Sequence, residues 1–157
     1  LILVVFLGND VMGDEGVGYH LYKYIDGLLP DYARGVFLHT DVLRLPHFYK
    51  GEDPIVFVDA VVGEHFPCGR AEIMSAEDVK NLEASMKHAH MIGVIDSLKL
   101  LEKTMSEIAS ARKVFYLIGV DESNIRPSTE ISQCLRENLH VLSEDLLKLL
   151  HHLHHTC

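Results

Sequence analysis

Three uninterrupted apolar runs constrain the fold more than any other feature of this chain: Leu1–Leu7, Ile55–Val58 with Ala60 to Val62 beyond it, and Val114–Val120. None alternates with polar residues and all are rich in β-branched side chains. That pattern belongs to strands buried on both faces. Gly35–His39 is a shorter fourth candidate, and Arg70–Met74 alternates as an edge strand does, which predicts an antiparallel edge. Helical spacing fills the intervals. It covers Asp14 to about Leu28, then Ser75–Lys87, which opens on the approximate capping box Ser75-Ala-Glu-Asp78. It returns from Met91 to about Ser110. A last helix should start near Pro127–Glu130 and run through Leu135, Leu139, Leu142, Leu146 and Leu149. Strands alternating with helices predict an α/β three-layer sandwich, a mainly parallel twisted sheet with helices on both faces. No repeat, linker or low-complexity stretch divides residues 1–157, so a single domain is expected.

Composition narrows the function. A net charge of −9, from 23 acidic and 14 basic residues, argues against non-specific nucleic-acid binding, which needs clustered cations. It suits a cationic partner or a metal held by carboxylates. The first run is too short to span a bilayer and lacks the basic flank and cleavage site of a signal peptide, so a cytoplasmic, membrane-free protein is expected. Cys68, Cys134 and Cys157 show no CxxC spacing, and reduced thiols are the simplest expectation.

The loop Phe6-Leu-Gly-Asn-Asp-Val-Met-Gly-Asp-Glu-Gly-Val-Gly18 leaves the first strand at the rim where open α/β sheets gather ligands. Its glycines permit positive φ and close backbone approach. The pattern is GxxGxG rather than GxGxxG, no Lys-Ser/Thr follows, and two acids beside a helix start repel phosphate, so nucleotide binding is a weak reading. Asp14 reads as the helix cap and Glu15 as the functional acid. Asp59 ends the second apolar run and should reach the same rim if the two strands are parallel. His90 sits where a loop enters an amphipathic helix, with His88 as an equally placed rival among eleven histidines. Two carboxylates and an imidazole make a mixed O/N set suited to nickel or zinc.

At these positions the chain resembles the hydrogenase maturation proteases. The opening block of that family is matched by Gly8-Asn9 and Gly13-Asp14-Glu15-Gly16-Val17-Gly18, and the second by Val58-Asp59-Ala60. The third is matched by His90-Met-Ile-Gly-Val-Ile-Asp-Ser-Leu98, which selects His90 over His88. Val114-Phe-Tyr-Leu-Ile-Gly-Val120 resembles the strand before the last helix. The resemblance implies about five strands. It implies Glu15, Asp59 and His90 as the catalytic, nickel-contacting residues, with Gly8, Asn9 and Asp41 on the substrate side. It implies the partner too: a nickel-loaded [NiFe]-hydrogenase large-subunit precursor, cut to remove its C-terminal extension. The nickel is expected to arrive with that precursor. The chain departs from the family at Leu38-His-Thr-Asp-Val-Leu-Arg-Leu45, where Asp41 is the candidate replacement for a loop aspartate, at Cys68 inside the usual Pro-Gly pair, and at the tail His151-His-Leu-His-His155, able to take up nickel adventitiously. Two other functions fit fewer residues: a nickel-binding chaperone that never cuts, and a nucleotide-binding flavodoxin-like domain.

Overall fold

The computed structural model describes residues 1–83 and 89–156, with side chains outside the span 83–92. Five strands, β1 (Ile2–Phe6), β2 (Ala33–Phe37), β3 (Ile55–Val61), β4 (Ala71–Ser75) and β5 (Lys113–Gly119), form one sheet in the order β2-β1-β3-β5-β4. The first three and β5 are parallel, and β4 pairs antiparallel to β5. The three long apolar runs occupy the centre, where a strand has neighbours on both edges and helices on both faces. Every residue of β1 and β3 is buried. The alternating segment became the edge strand, with Glu72 and Ile73 exposed.

Side chains one residue apart enter different cores. Leu3, Val5, Ile55, Phe57, Val61, Phe115 and Leu117 belong to one, while Val4, Phe6, Val56, Val58, Tyr116 and Ile118 belong to the other. Helices α1 (Val17–Ile25) and α5 (Gln133–His155) line the second core through Val17, Leu21, Leu142 and Leu146. The first core is lined by α2 (Ala76–Glu83), α3 (Ala89–Thr104), α4 (Ser106–Ser110) and the 3₁₀ segment Val42–His47. Two layers of helix around a parallel sheet place every parallel strand's C-terminus on one rim.

Local chemistry sets the boundaries. Ser75 and Asp78 form the reciprocal cap at the start of α2, with Asp78 N donating to Ser75 Oγ at 3.1 Å and Ser75 N to Asp78 Oδ2 at 3.2 Å. The part of this predicted helix from 84 to 87 lies outside the described residues. The helix expected up to Ser110 is two helices, because Met105 at φ −132° and ψ 104° leaves helical geometry. The last helix starts at Gln133, later than its apolar spacing suggests. No described helix is long and apolar enough to cross a membrane.

One buried carboxylate couples the fold to pH. Glu52 is 4% exposed, pairs with the Arg34 guanidinium and accepts from Lys50 N at 2.7 Å. Burial pushes its carboxyl up, but the Arg34 bond and the backbone donors outweigh burial and hold it below the usual range. A lowered folded value means stability that is fully present above the unfolded carboxyl value of about 4.3 and is lost as pH falls through the folded one. Urea midpoints of the wild type should therefore fall more steeply between neutral and acid pH than those of Glu52→Gln. Parallel slopes would remove Glu52 from the pH response.

Candidate active site

The loop after β1 is shaped by backbone closure. Gly8 has φ +149°, and a Cβ there would lie 2.3 Å from the carbonyl oxygen of Glu15. Only glycine lets the chain fold back this closely. Asn9 N then donates to Glu15 O at 3.1 Å, and Glu15 N to Met12 O at 3.2 Å. These bonds fix Glu15, in the 3₁₀ turn Gly13–Gly16, beside Asn9 at the strand ends.

Asp59 approaches from β3. It is 1% exposed, and its Oδ1 accepts from Ala60 N at 2.8 Å. Asn9, Glu15, Asp59, Ala60, Val62, Val120 and Ile125 line a single small cleft. The two acids nominated from sequence thus meet there, one from the first loop and one from the third strand. The carboxylate of Glu15 has no hydrogen bond or ion pair among the described residues, so it is open to a ligand. Mixed walls, apolar from Val62, Val120 and Ile125 and polar from the acids, suit a peptide or an ion rather than a phosphate.

His90 lies in the first turn of α3, but its side chain is outside the described residues, as is His88 altogether. Strand alternation groups Asp59 with Phe57 and Val61, which face the core shared by Val94 and Ile95 of α3. Asp59 and the His90 helix therefore belong to the same layer. Among the described residues no group of three or more His, Cys, Asp or Glu forms a metal cage. Asn9 is at the cleft, with its Oδ1 accepting from Val11 N at 3.2 Å. Asp41 is exposed and caps the 3₁₀ segment Val42–His47, its Oδ1 accepting from Leu43 N at 3.1 Å.

Asp14 corrects its sequence-based role. It makes no cap to α1; fully buried, it accepts from four donors on the segment that follows β5. Asp121 N lies at 3.0 Å, Asn124 Nδ2 at 2.8 Å, Ser132 N at 2.7 Å and Ser132 Oγ at 2.6 Å. This carboxylate ties the loop bearing Glu15 to the N-terminus of the last helix. It also explains the late start of α5, since the Ser132 N–H is committed to Asp14 and Ser132 becomes the N-cap. The sequence marks Asn124 and Ser132 only by a polar cluster, Asp121 to Ser132, between an apolar strand and a leucine-rich helix.

The expectation of reduced thiols is also overturned. Cys68, in the β3–β4 connection, and Cys134, in the first turn of α5, are joined by a disulfide. Their sequence separation of 66 carries no motif, and the fold brings their Cα atoms to 6.0 Å. Cys68 is therefore not a free nucleophile. A disulfide typically contributes roughly 2–4 kcal/mol, so Cys134→Ser, or a dithiol reductant acting on the wild type, should lower the urea-derived stability by that amount. No change on reduction would mean that the crosslink adds nothing.

Residues 40–149 match the family model HycI, described as hydrogenase maturation protease. Protein FrxA of Pyrococcus furiosus is 29% identical over 140 residues, covering 88% of this chain and 97% of that protein. Among solved structures, the [NiFe] hydrogenase maturation protease HybD from Thermococcus kodakarensis superposes with a TM-score of 0.82 at 28% identity, over 94% of this chain and 97% of that one. The hydrogenase maturating endopeptidase HybD from E. coli shares the fold, with a TM-score of 0.77 at 24% identity over 96% of this chain and 92% of that one.

Proposed function

Because the chain belongs to the hydrogenase maturation protease family and is a peptidase, we propose that it removes the C-terminal extension of a nickel-loaded [NiFe]-hydrogenase large-subunit precursor, using Glu15, Asp59 and His90 at the rim cleft. The observation that carries this reading is the meeting of Glu15 and Asp59 in one cleft, with the Glu15 carboxylate unpartnered among the described residues.

In this reading the nickel is part of the substrate. Carboxylate and imidazole donors are an acceptable set for that ion, and they need not hold it unaided. Selectivity follows, because a precursor without nickel lacks the group that docks its cleavage site. The bound ion would polarise the scissile carbonyl or acidify the attacking water. Glu15 is the better general base of the two acids, being free to accept a proton, while Asp59 is oriented by the Ala60 N–H. Asn9 and the Gly8 backbone line the approach of the substrate chain, and Asp41 steers it from outside the cleft. The reaction is placed in the cytoplasm, where the Cys68–Cys134 bond would be an exception to the usual reduced state.

A second reading rests on the same pair of acids, which line one cleft. Glu15 and Asp59 would then share a proton as an aspartic-protease pair does. Such an enzyme has an acidic pH optimum and ignores chelators, whereas the nickel-docked one loses activity when its precursor is stripped.

Mass analysis of the large subunit after incubation with wild type, Glu15→Gln, Asp59→Asn and His90→Ala tests the assignment. The wild type should shorten the precursor, and each variant should leave it whole. A variant cutting at the wild-type rate would strike its residue from the site.

A further inference from the structure

The last helix carries a histidine cluster that the rim chemistry does not use. Helix α5 spans Gln133–His155, roughly 33 Å at 1.5 Å per residue. Its first turn adjoins Ser132, which bonds to Asp14 at the rim. Its last turn lies against Tyr32, just before β2, at the opposite end of the sheet. Whatever the terminal histidines do, they do it far from Glu15 and Asp59.

The four terminal histidines are not equivalent. His154 lies flat on the Tyr32 ring, with centroids 3.9 Å apart and planes within 5°. Together with the buried Leu150 and Leu153, this contact anchors the helix end. His151 and His155, one turn apart, are exposed, and their ring centroids are 4.3 Å apart. Neither ring has a hydrogen bond or ion pair among the described residues. A helix C-terminus favours a cation, but a single imidazolium satisfies that preference and does not require two adjacent rings.

We propose that His151 and His155 form a two-histidine chelating site for one divalent late transition-metal ion, of the nickel, copper or zinc class. Histidines at i and i+4 share one helical face, the spacing by which a helix presents two imidazoles to zinc. Two nitrogens each about 2.1 Å from a tetrahedral ion stand roughly 3.4 Å apart, within reach of side-chain rotation from the observed ring separation. Imidazole selects this class of ion over magnesium or calcium, which prefer oxygen. The remaining coordination positions fall to water. The anchored helix end keeps the pair preorganised, so binding does not have to order a loose tail.

Calorimetric titration of the full chain with nickel chloride, and separately with magnesium chloride, tests this. The wild type should bind one nickel ion at this end and no magnesium. His151→Ala and His155→Ala should each weaken that binding at least about tenfold, since loss of even an outer-shell partner costs roughly 10–100-fold. His140→Ala, whose ring engages Glu144 and Tyr24 instead, should bind as the wild type does. Asp59→Asn should also retain the site, which separates this proposal from the one for the rim cleft. Absence of nickel binding, or nickel binding that survives His151→Ala/His155→Ala undiminished, would overturn it. Circular dichroism of the double variant confirms that the exposed substitutions leave the helix intact.

Discussion

Asp59→Asn is expected to lower single-turnover cleavage of the precursor by a factor on the order of 10²–10⁴, the range in which a positioned acid or base acts, while the folded state persists. Asn matches Asp in shape and can still accept from Ala60 N, so the buried position survives. What it lacks is an ionisable carboxyl in the cleft that Glu15 also lines. Without it neither a divalent ion nor a shared proton is held there, so the loss is expected under both mechanisms. Near-UV circular dichroism separates a chemical loss from a structural one. An intact Asp59→Asn protein that cuts at the wild-type rate would remove β3 from the chemistry.

The second large effect is on stability. Asp14→Ala removes the acceptor for four donors in a site with no solvent access, leaving Asp121 N and Ser132 N without their partner. The donors are only partly buried, so each orphaned group costs at the low end of about 1–3 kcal/mol, and a total of roughly 2–4 kcal/mol is expected in urea unfolding. Cleavage should fall as well, because the same carboxylate holds the loop on which Glu15 stands. Glu15→Ala is the contrast: its carboxylate has no partner among the described residues, so it should abolish cleavage with little change in stability. If Asp14→Ala unfolds at the wild-type urea concentration, the tie between the first loop and α5 has no energetic weight.

Much of this architecture was legible because it rests on short-range pattern. Unbroken β-branched runs such as Leu1–Leu7 read as central strands, and Arg70–Met74 read as the antiparallel edge, because burial on two faces or one leaves its mark residue by residue. The Ser75–Asp78 cap was legible for the same reason. The misreadings share the opposite cause. Asp14 stands where a cap belongs, but its partners lie 107 to 118 residues away, and a local rule cannot see them. The disulfide joins cysteines with no motif between them, and the start of α5 is set by that same distant carboxylate. At the cleft, the rim position of Glu15 and Asp59 follows from parallel strands. The choice of His90 over His88 came from family resemblance, and His90's ring lies beyond the described side chains.

The most direct test of the rim cleft as a nickel-reading site is time-resolved mass spectrometry of wild-type enzyme with two preparations of one precursor, nickel-loaded and nickel-free. Loss of the C-terminal extension from the loaded preparation alone is the predicted result. Equal cleavage rates for the two would contradict the account and leave Glu15 and Asp59 as a metal-independent pair.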